Sequence, residues 1–482
     1  MRTVTAIIVC TAAAIAAGGG FAETMDAYPE EIRMVLDVTQ PLEHDRGSRL
    51  PLYLWPARNP GALSEADAEA LVRALDERGI GLYCSWTGDV EATLAQALPI
   101  ARAQRELGLR VNVDATVPMH GFCDGTDATA HLDAEGQAFH DTSCAGAKLG
   151  CPYRLDHRIP VIRERIETLA AAYADEGLPI DFIFADWEID GPIEWNDSHE
   201  TAKRCAVCRE HAPGLDDFLT YQHEVRAIRS RLQREAYALP LRRLFPDVLV
   251  GNYAVYPNDG WRYWYDYFER YLEGQPARVD QRARYRHWAN EFTPTGYTFA
   301  MPVVYQWSPM YAWYDFASSD YRWFYNGLLV ASNAGAHTPP DTPIIAFVHW
   351  HTVDLTQEGE EKPPQFSEEK YQELLWHMLL RGIDAFFLWS PVAEARKEVE
   401  LLHPVYAAAQ AYGAFLDEGV PISFDTPKAP GPVVSGLRLG DRVLVRRTDF
   451  TNDAAPVTIA LPRGGSITVP RADGACAVIE VE

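Results

Sequence analysis

The stretch Ile180-Asp181-Phe182-Ile183-Phe184-Ala185-Asp186-Trp187-Glu188-Ile189-Asp190 decides how the chain is read. An apolar run of strand type ends in three acids spaced two apart. Side chains on a strand alternate between faces, so Asp186 and Glu188 point the same way, about 6.6 Å apart along the strand, and Trp187 points to the other face. Asp190 shares the acids' parity but falls past the strand's expected end. Two carboxylates side by side at a strand's carboxyl end are costly for structure alone. Like charges this close raise one pKa, which keeps a carboxylic acid protonated near neutral pH for acid catalysis. The plainer reading is a hydrogen-bonded acid cluster that caps the next helix or binds a cation. The buried-strand pattern ahead of the acids favours catalysis.

Outward from this stretch, strand-like runs alternate with amphipathic helical stretches. The runs are Leu52–Trp55, Gly81–Trp86, Arg110–Ala115, Asp181–Glu188, Val248–Val255, Thr298–Tyr305, Ile344–Trp350 and Ala385–Trp389. Between them lie helical patterns such as Glu65–Arg78, Glu91–Leu107, Ile159–Ala174, Leu215–Glu235 and Glu368–Leu380. Alternation of this kind predicts parallel strands covered by helices, and eight such units fit a (β/α)8-type, TIM-like barrel. A doubly wound open sheet is the alternative, but no glycine-rich dinucleotide fingerprint follows the first strand. After Leu416, prolines at 421, 427, 430 and 432 mark a linker, and short alternating runs to Val481 predict a small antiparallel β domain. The expected division is a leader over 1–22, a barrel over 23–418 and a β domain over 419–482.

The leader reads as an export signal: Arg2, an apolar stretch from Val4 to Ala17, then Gly20-Phe21-Ala22. A secreted or periplasmic protein follows, with no membrane span expected in the mature chain. A formal net charge of -25 argues against a nucleic-acid partner, which would call for a basic patch. Beyond Cys10 there are seven cysteines, of which Cys144/Cys151 and Cys205/Cys208 form close pairs on either side of the opening strand. Disulfides are the default in an exported chain; a structural four-cysteine zinc site is the alternative, with His199 and His211 as nearby candidate ligands.

In a barrel of this type the chemistry sits at the strands' carboxyl ends. Those ends carry Trp55, Trp86, Asp114, Asp186, Glu188, Tyr253, Tyr305, Trp307, His349, His351 and Trp389, with Trp350 beside the two histidines. A ring of aromatic residues around two acids suits a sugar-binding cleft, and the long insert Val117–Arg158 is expected to lie over it. A two-carboxylate glycosidase needs an acid and a second carboxylate across the bond. Asp114 and Asp354 are the available distant partners for Glu188. Asp186 is too near to attack from the opposite face, but it could orient a nucleophile belonging to the substrate, such as a 2-acetamido group. No cofactor is called for. A metal site built from His349, His351 and Asp354, and a non-catalytic glycan-binding barrel, are the competing readings.

These residues resemble a known family. Asp186-Trp187-Glu188 is similar to the acid motif of the hyaluronidase-type glycoside hydrolases, and Gly251-Asn252-Tyr253-Ala254-Val255-Tyr256-Pro257, Met301-Pro302 and Leu388-Trp389 echo later family segments in order. The resemblance touches residues 180–390 in patches. It implies a distorted β/α barrel and a substrate-assisted retaining hydrolase of polysaccharides. Glu188 would be the general acid/base, Asp186 would hold the acetamido group, Tyr253 would position it, and Trp389 would pack on the sugar. Asp190, Asp114, Tyr305, Trp350, His349 and Trp86 complete the expected substrate-binding set. Two departures stand out: Ile189-Asp190-Gly191-Pro192 lacks the family's basic residue, and Ala300 stands where the family has a tyrosine, for which Tyr297 or Tyr305 could substitute. These departures argue against hyaluronan, and the expected substrate is a different or undetermined glycan.

Overall fold

The computed structural model describes residues 27–142, 148–186, 196–252 and 293–482, apart from residues 309–310, 312–313, 315, 340, 355, 357–360, 453–454, 463 and 472–473. The expected leader, Cys144, Glu188, Asp190 and Tyr253 lie outside these residues.

Eight parallel strands carry the larger part of the fold. They are β1 (Tyr53–Leu54), β2 (Cys84–Ser85), β3 (Asn112–Asp114), β4 (Phe182–Ala185), β5 (Leu249–Asn252), β6 (Val303–Trp307), β7 (Ile345–Val353) and β8 (Ala385–Leu388). One sheet runs β2-β3-β4-β5 and the other β1-β8-β7-β6, every pairing parallel. A parallel bridge between Leu52 and Ile80 joins the sheets on one side, and Thr298 N–H donates to the Val250 carbonyl on the other. The fold is thus α/β with parallel sheets. Six of the eight expected runs contain their strand; β6 and β7 continue past the expected ends at Tyr305 and Trp350, to Trp307 and Val353.

The strands face each other across an aromatic core. Tyr53 stacks on Phe182 at 4.3 Å, Phe184 lies 4.7 Å from Phe387, Phe347 lies 5.2 Å from Phe387, and Phe299 lies 5.2 Å from Phe182. Phe182 and Phe184 both point into this core, so by strand parity Asp186 leaves β4 on the inner face. Space inside is tight: a Cβ added at Gly251 of β5 would come within 2.5–2.8 Å of the Phe299 ring.

Helices cover the strands, and polar side chains mark where they begin. Ser64 caps α1 (Glu65–Asp76), Asp89 caps α2 (Val90–Glu106), Asp217 caps α4 (Phe218–Gln233), Ser318 caps α5 (Ser319–His337) and Ser367 caps α6 (Glu368–Leu379), each accepting a backbone N–H of the first turn. α3 (Ile159–Asp175) and α7 (Val392–Ala409) start at prolines instead. Among the described residues, no helix is long and apolar enough to cross a membrane.

From Val420 the chain turns antiparallel. Strands β9 (Val420–Pro421), β10 (Pro432–Leu439), β11 (Arg442–Asp449) and β14 (Ala477–Glu480) form one sheet, and β12 (Val457–Ala460) pairs with β13 (Ser466–Val469). This part packs on α6 through a buried polar seam. Glu373 takes two hydrogen bonds from Arg446 at 2.6 and 2.9 Å and a third from Thr448. His377, with no exposed surface, contacts Ser435 and Thr448 hydroxyls at 2.7 and 3.0 Å. Burial, together with the neighbouring Arg381 and Arg446 charges, pushes the His377 imidazole well below its usual range and keeps it neutral.

Candidate active site

The carboxyl ends of β1 to β4 are tied together by a line of side-chain hydrogen bonds. After β1 the chain turns at Asn59, a left-handed residue (φ 49°) of a type that tolerates that conformation. Its carboxamide accepts from Ser85 N–H at 2.7 Å and reaches the Ser85 hydroxyl at 3.2 Å. Ser85 donates to Asp114 at 2.7 Å. The other Asp114 oxygen accepts from the Thr116 N–H at 2.8 Å and its hydroxyl at 2.5 Å. Thr116 in turn accepts the Asp186 N–H at 2.9 Å, and a ring nitrogen of His120 lies 3.2 Å from the Asp186 carbonyl oxygen. The peptide that leads into Trp187-Glu188 is therefore clamped on both sides by the turn after β3.

Asp114 is 2 % exposed and its oxygens are occupied, with Arg58 only 3.8 Å from one of them. Its side chain is held in place and positions its neighbours, which makes it a poor candidate for a second carboxylate that must reach the substrate. Arg58 also lies 3.7 Å over the Trp55 ring, which places a cation and an aromatic face together at the rim.

The opposite rim is aromatic. Tyr305 stacks on Trp389 at 5.7 Å and on Trp307 at 6.0 Å, and His349 meets Trp389 edge-on at 5.0 Å. A cavity of ≈ 360 Å³ opens between the ends of β1 and β8, lined by Trp55, Arg58, Asn59, Trp389 and Ser390 among others. That volume lies at the lower end of the range for small-molecule sites. Another cavity, ≈ 330 Å³, lies at the strands' amino ends beside Pro51, Arg110 and Asp181. That end of such folds commonly serves stability.

β7 is irregular where it reaches this rim. Val304 pairs with Val348 but Gln306 pairs with Thr352, so β7 carries extra residues opposite Tyr305. Bulges of this kind re-aim side chains. Here both imidazoles turn onto Glu398 of α7, at 3.0 Å for His349 and 2.8 Å for His351, while Glu394 one turn earlier lies 3.4 Å from His349. Glu398 has no exposed surface and also accepts the N–H groups of Trp350 and His351. Burial opposes its charge, yet the hydrogen bonds from His349 and His351 hold its carboxyl down at about 2. His351 moves the other way. Burial lowers it, and the Glu398 hydrogen bond and the Glu398 and Glu394 charges more than reverse that.

Several expected roles are corrected by position. Trp86 has no exposed surface and its indole N–H points at the Tyr173 hydroxyl of α3, at 3.5 Å; Ser85 takes the inner face, so Trp86 faces the helices. Trp350 is turned outward by the same alternation, and its indole N–H donates to the Phe366 carbonyl at 2.9 Å. Asp354 is paired with Lys362 and Thr356 at an exposed position, outside the His349–His351 group that it was expected to complete. Tyr297 donates to Gln233 at 2.6 Å, which leaves Tyr305 as the tyrosine at the rim. Of the expected disulfide pairs, Cys144/Cys151 involves Cys144, outside the described residues, while Cys205 and Cys208 are separate thiols; the Cys151 and Cys208 sulfurs lie 3.6 Å apart, and the His199 ring, an expected zinc ligand, instead engages the Leu215 carbonyl. Reading strand ends alone missed Asn59, Thr116, His120, Glu394 and Glu398. The i, i+4 spacing of the two glutamates just after Trp389-Ser390-Pro391 was the signal for that pair.

No protein-family model and no curated protein matches the chain. Among solved structures the chain is similar to an α-galactosidase from Geobacillus stearothermophilus (TM-score 0.45, 11% identity, 94% of this chain and 58% of that one). It is also similar to a β-galactosidase from the haloarchaeon Halorubrum lacusprofundi (TM-score 0.43, 13% identity, 77% of this chain and 59% of that one). Bee venom hyaluronidase matches with a TM-score of 0.33 and 14% identity, over 61% of this chain and 86% of that one. The chain thus spans less than two thirds of the two galactosidases.

Proposed function

We propose that the chain is an exported glycoside hydrolase that cleaves a polysaccharide, with Glu188 as general acid/base and Asp186 beside it. In this reading the two parallel sheets form a single eight-stranded barrel whose carboxyl end is the active face. The observation that carries the proposal is the hydrogen-bonded line Asn59–Ser85–Asp114–Thr116–Asp186. It uses two half-buried hydroxyls and a buried carboxylate to fix the backbone at the end of β4, two residues before Glu188. General acid catalysis needs its proton donor placed within hydrogen-bond reach of the leaving oxygen, and a rigid strand end provides that placement.

The roles then follow from chemistry. Glu188 protonates the glycosidic oxygen and later deprotonates water. Asp186, on the inner face by parity, holds and polarises a 2-acetamido group so that the substrate's own carbonyl oxygen attacks the anomeric carbon. Tyr253 helps position that group, and Trp389 and Tyr305 offer faces to the sugar ring. Because Asp114 is occupied and Asp354 pairs with Lys362, substrate assistance is favoured over a two-carboxylate mechanism. A panel of polysaccharides with and without 2-acetamido sugars tests this directly. Release of reducing ends only from acetamido glycans is expected; cleavage of glycans that lack the group would replace Asp186's role with a second carboxylate. Binding to such glycans without any cleavage would make the chain a lectin-like barrel.

A further inference from the structure

We propose that His131, Cys151, Cys205 and Cys208 form a closed tetrahedral zinc site that staples the loop after β3 to the loop after β4. The inference is independent of the catalytic reading. His131 belongs to a short hairpin (His131–Leu132 with Ala138–Phe139), and Cys151 precedes the turn Pro152–Arg154; both lie in the insert after β3. Cys205 and Cys208 come from the segment after β4, with the two-residue spacing that lets one turn of chain present two sulfurs to one ion.

The distances match a tetrahedron. Zn–S bonds of about 2.3 Å and a Zn–N bond of about 2.0 Å place sulfurs about 3.8 Å apart, and sulfur and nitrogen about 3.5 Å apart. Here the sulfurs of Cys151 and Cys208 are 3.6 Å apart, those of Cys151 and Cys205 are 4.0 Å apart, and the Cys208 sulfur lies 3.8 Å from His131 Nδ1. All four ligand atoms fall within 4.8 Å of one another. A disulfide needs about 2.05 Å, and its formation would satisfy two of these sulfurs while leaving the third thiol and the imidazole stranded.

Burial and the surroundings point the same way. The three cysteines have no exposed surface and His131 has 3 %. The His131 ring stacks on Phe139 at 5.4 Å, which fixes its plane. With four protein ligands and no open position, the site serves structure, and it leaves any glycosidic chemistry to the carboxylates.

The test is metal analysis of the full chain as purified, followed by reconstitution with Co²⁺. About one zinc per chain is expected, released when the thiols are titrated with a mercurial, and the Co²⁺ form should show the intense visible bands and thiolate charge transfer of a tetrahedral three-sulfur site. Cys205→Ser and His131→Ala should each lose most of the bound zinc, and a strong chelator should lower the melting temperature of the wild type but not of Cys205→Ser. Should these variants fail to fold, the wild-type stoichiometry and cobalt spectrum still decide. A chain that neither carries nor takes up zinc, a Cys151–Cys208 disulfide in the mass spectrum, or full zinc retention by Cys205→Ser would overturn the proposal.

Discussion

At the scale of single residues, Glu398 and Asp114 show how two buried acids hold the rim's side chains in place. The folded-state pKa of Glu398 lies below its unfolded value, so its contribution to stability is present above about pH 4.3 and is lost as pH falls toward about 2. His351 is raised, so its contribution is complete below about pH 6.5 and is lost as pH rises through its folded value. The two windows overlap between about pH 4.3 and 6.5, where this cluster stabilises most. Thermal melts across pH should show wild type ahead of Glu398→Gln by about 2–3 kcal/mol in that window, with the gap closing toward pH 2. A gap that does not change with pH would mean that the charge of Glu398 is not what stabilises the cluster. Asp114→Ala leaves the Ser85 and Thr116 hydroxyls and the Thr116 N–H without their acceptor, at a cost of about 1–3 kcal/mol. If the line positions Glu188, kcat in this variant falls more than KM rises, and steady-state kinetics on a cleaved glycan distinguish the two.

At the scale of elements, the strands were legible because each is a short apolar run bounded by turns, and parity placed Asp186 on the inner face before any coordinates. What strand patterns could not show are bulges and reach. The irregular pairing opposite Tyr305 turns His349 and His351 together onto α7, and nothing in the run Phe347-Val348-His349-Trp350-His351 announces two extra residues. Trp86 and Trp350 read as rim residues only while the alternation at the strand ends was left unassigned. The cysteines illustrate reach as well: their close spacing in sequence suggested pairs, whereas contacts between segments more than fifty residues apart place Cys151 and His131 beside Cys208. Two substitutions test element packing. Gly251→Ala must displace the Phe299 ring and is expected to lower stability by about 1–3 kcal/mol in denaturant melts, whereas an unchanged midpoint would show that β5 has slack. Arg446→Ala leaves Glu373 buried and uncompensated between α6 and β11, an expected loss of about 3–5 kcal/mol. Pairing it with Glu373→Ala should recover part of that loss, because the stranded charge is gone.

At the scale of the molecule, two four-stranded parallel sheets face each other across an aromatic core, and their carboxyl ends carry the described rim residues. The carboxyl face gathers an anchored strand end at Asp186, a cation over an aromatic ring at Arg58 and Trp55, and the stacked rings of Tyr305 and Trp389. Its amino face shows ordinary ion pairs such as Arg105 with Asp181. The central claim is that Glu188 supplies the proton at this face. It is tested most directly by comparing wild type with Glu188→Gln for release of reducing ends from a glycan that the wild type cleaves, alongside thermal melts of both proteins. A fall in rate of about 10²-fold or more, with melting temperatures nearly equal, is the outcome the account predicts; cleavage by Glu188→Gln at the wild-type rate would contradict it.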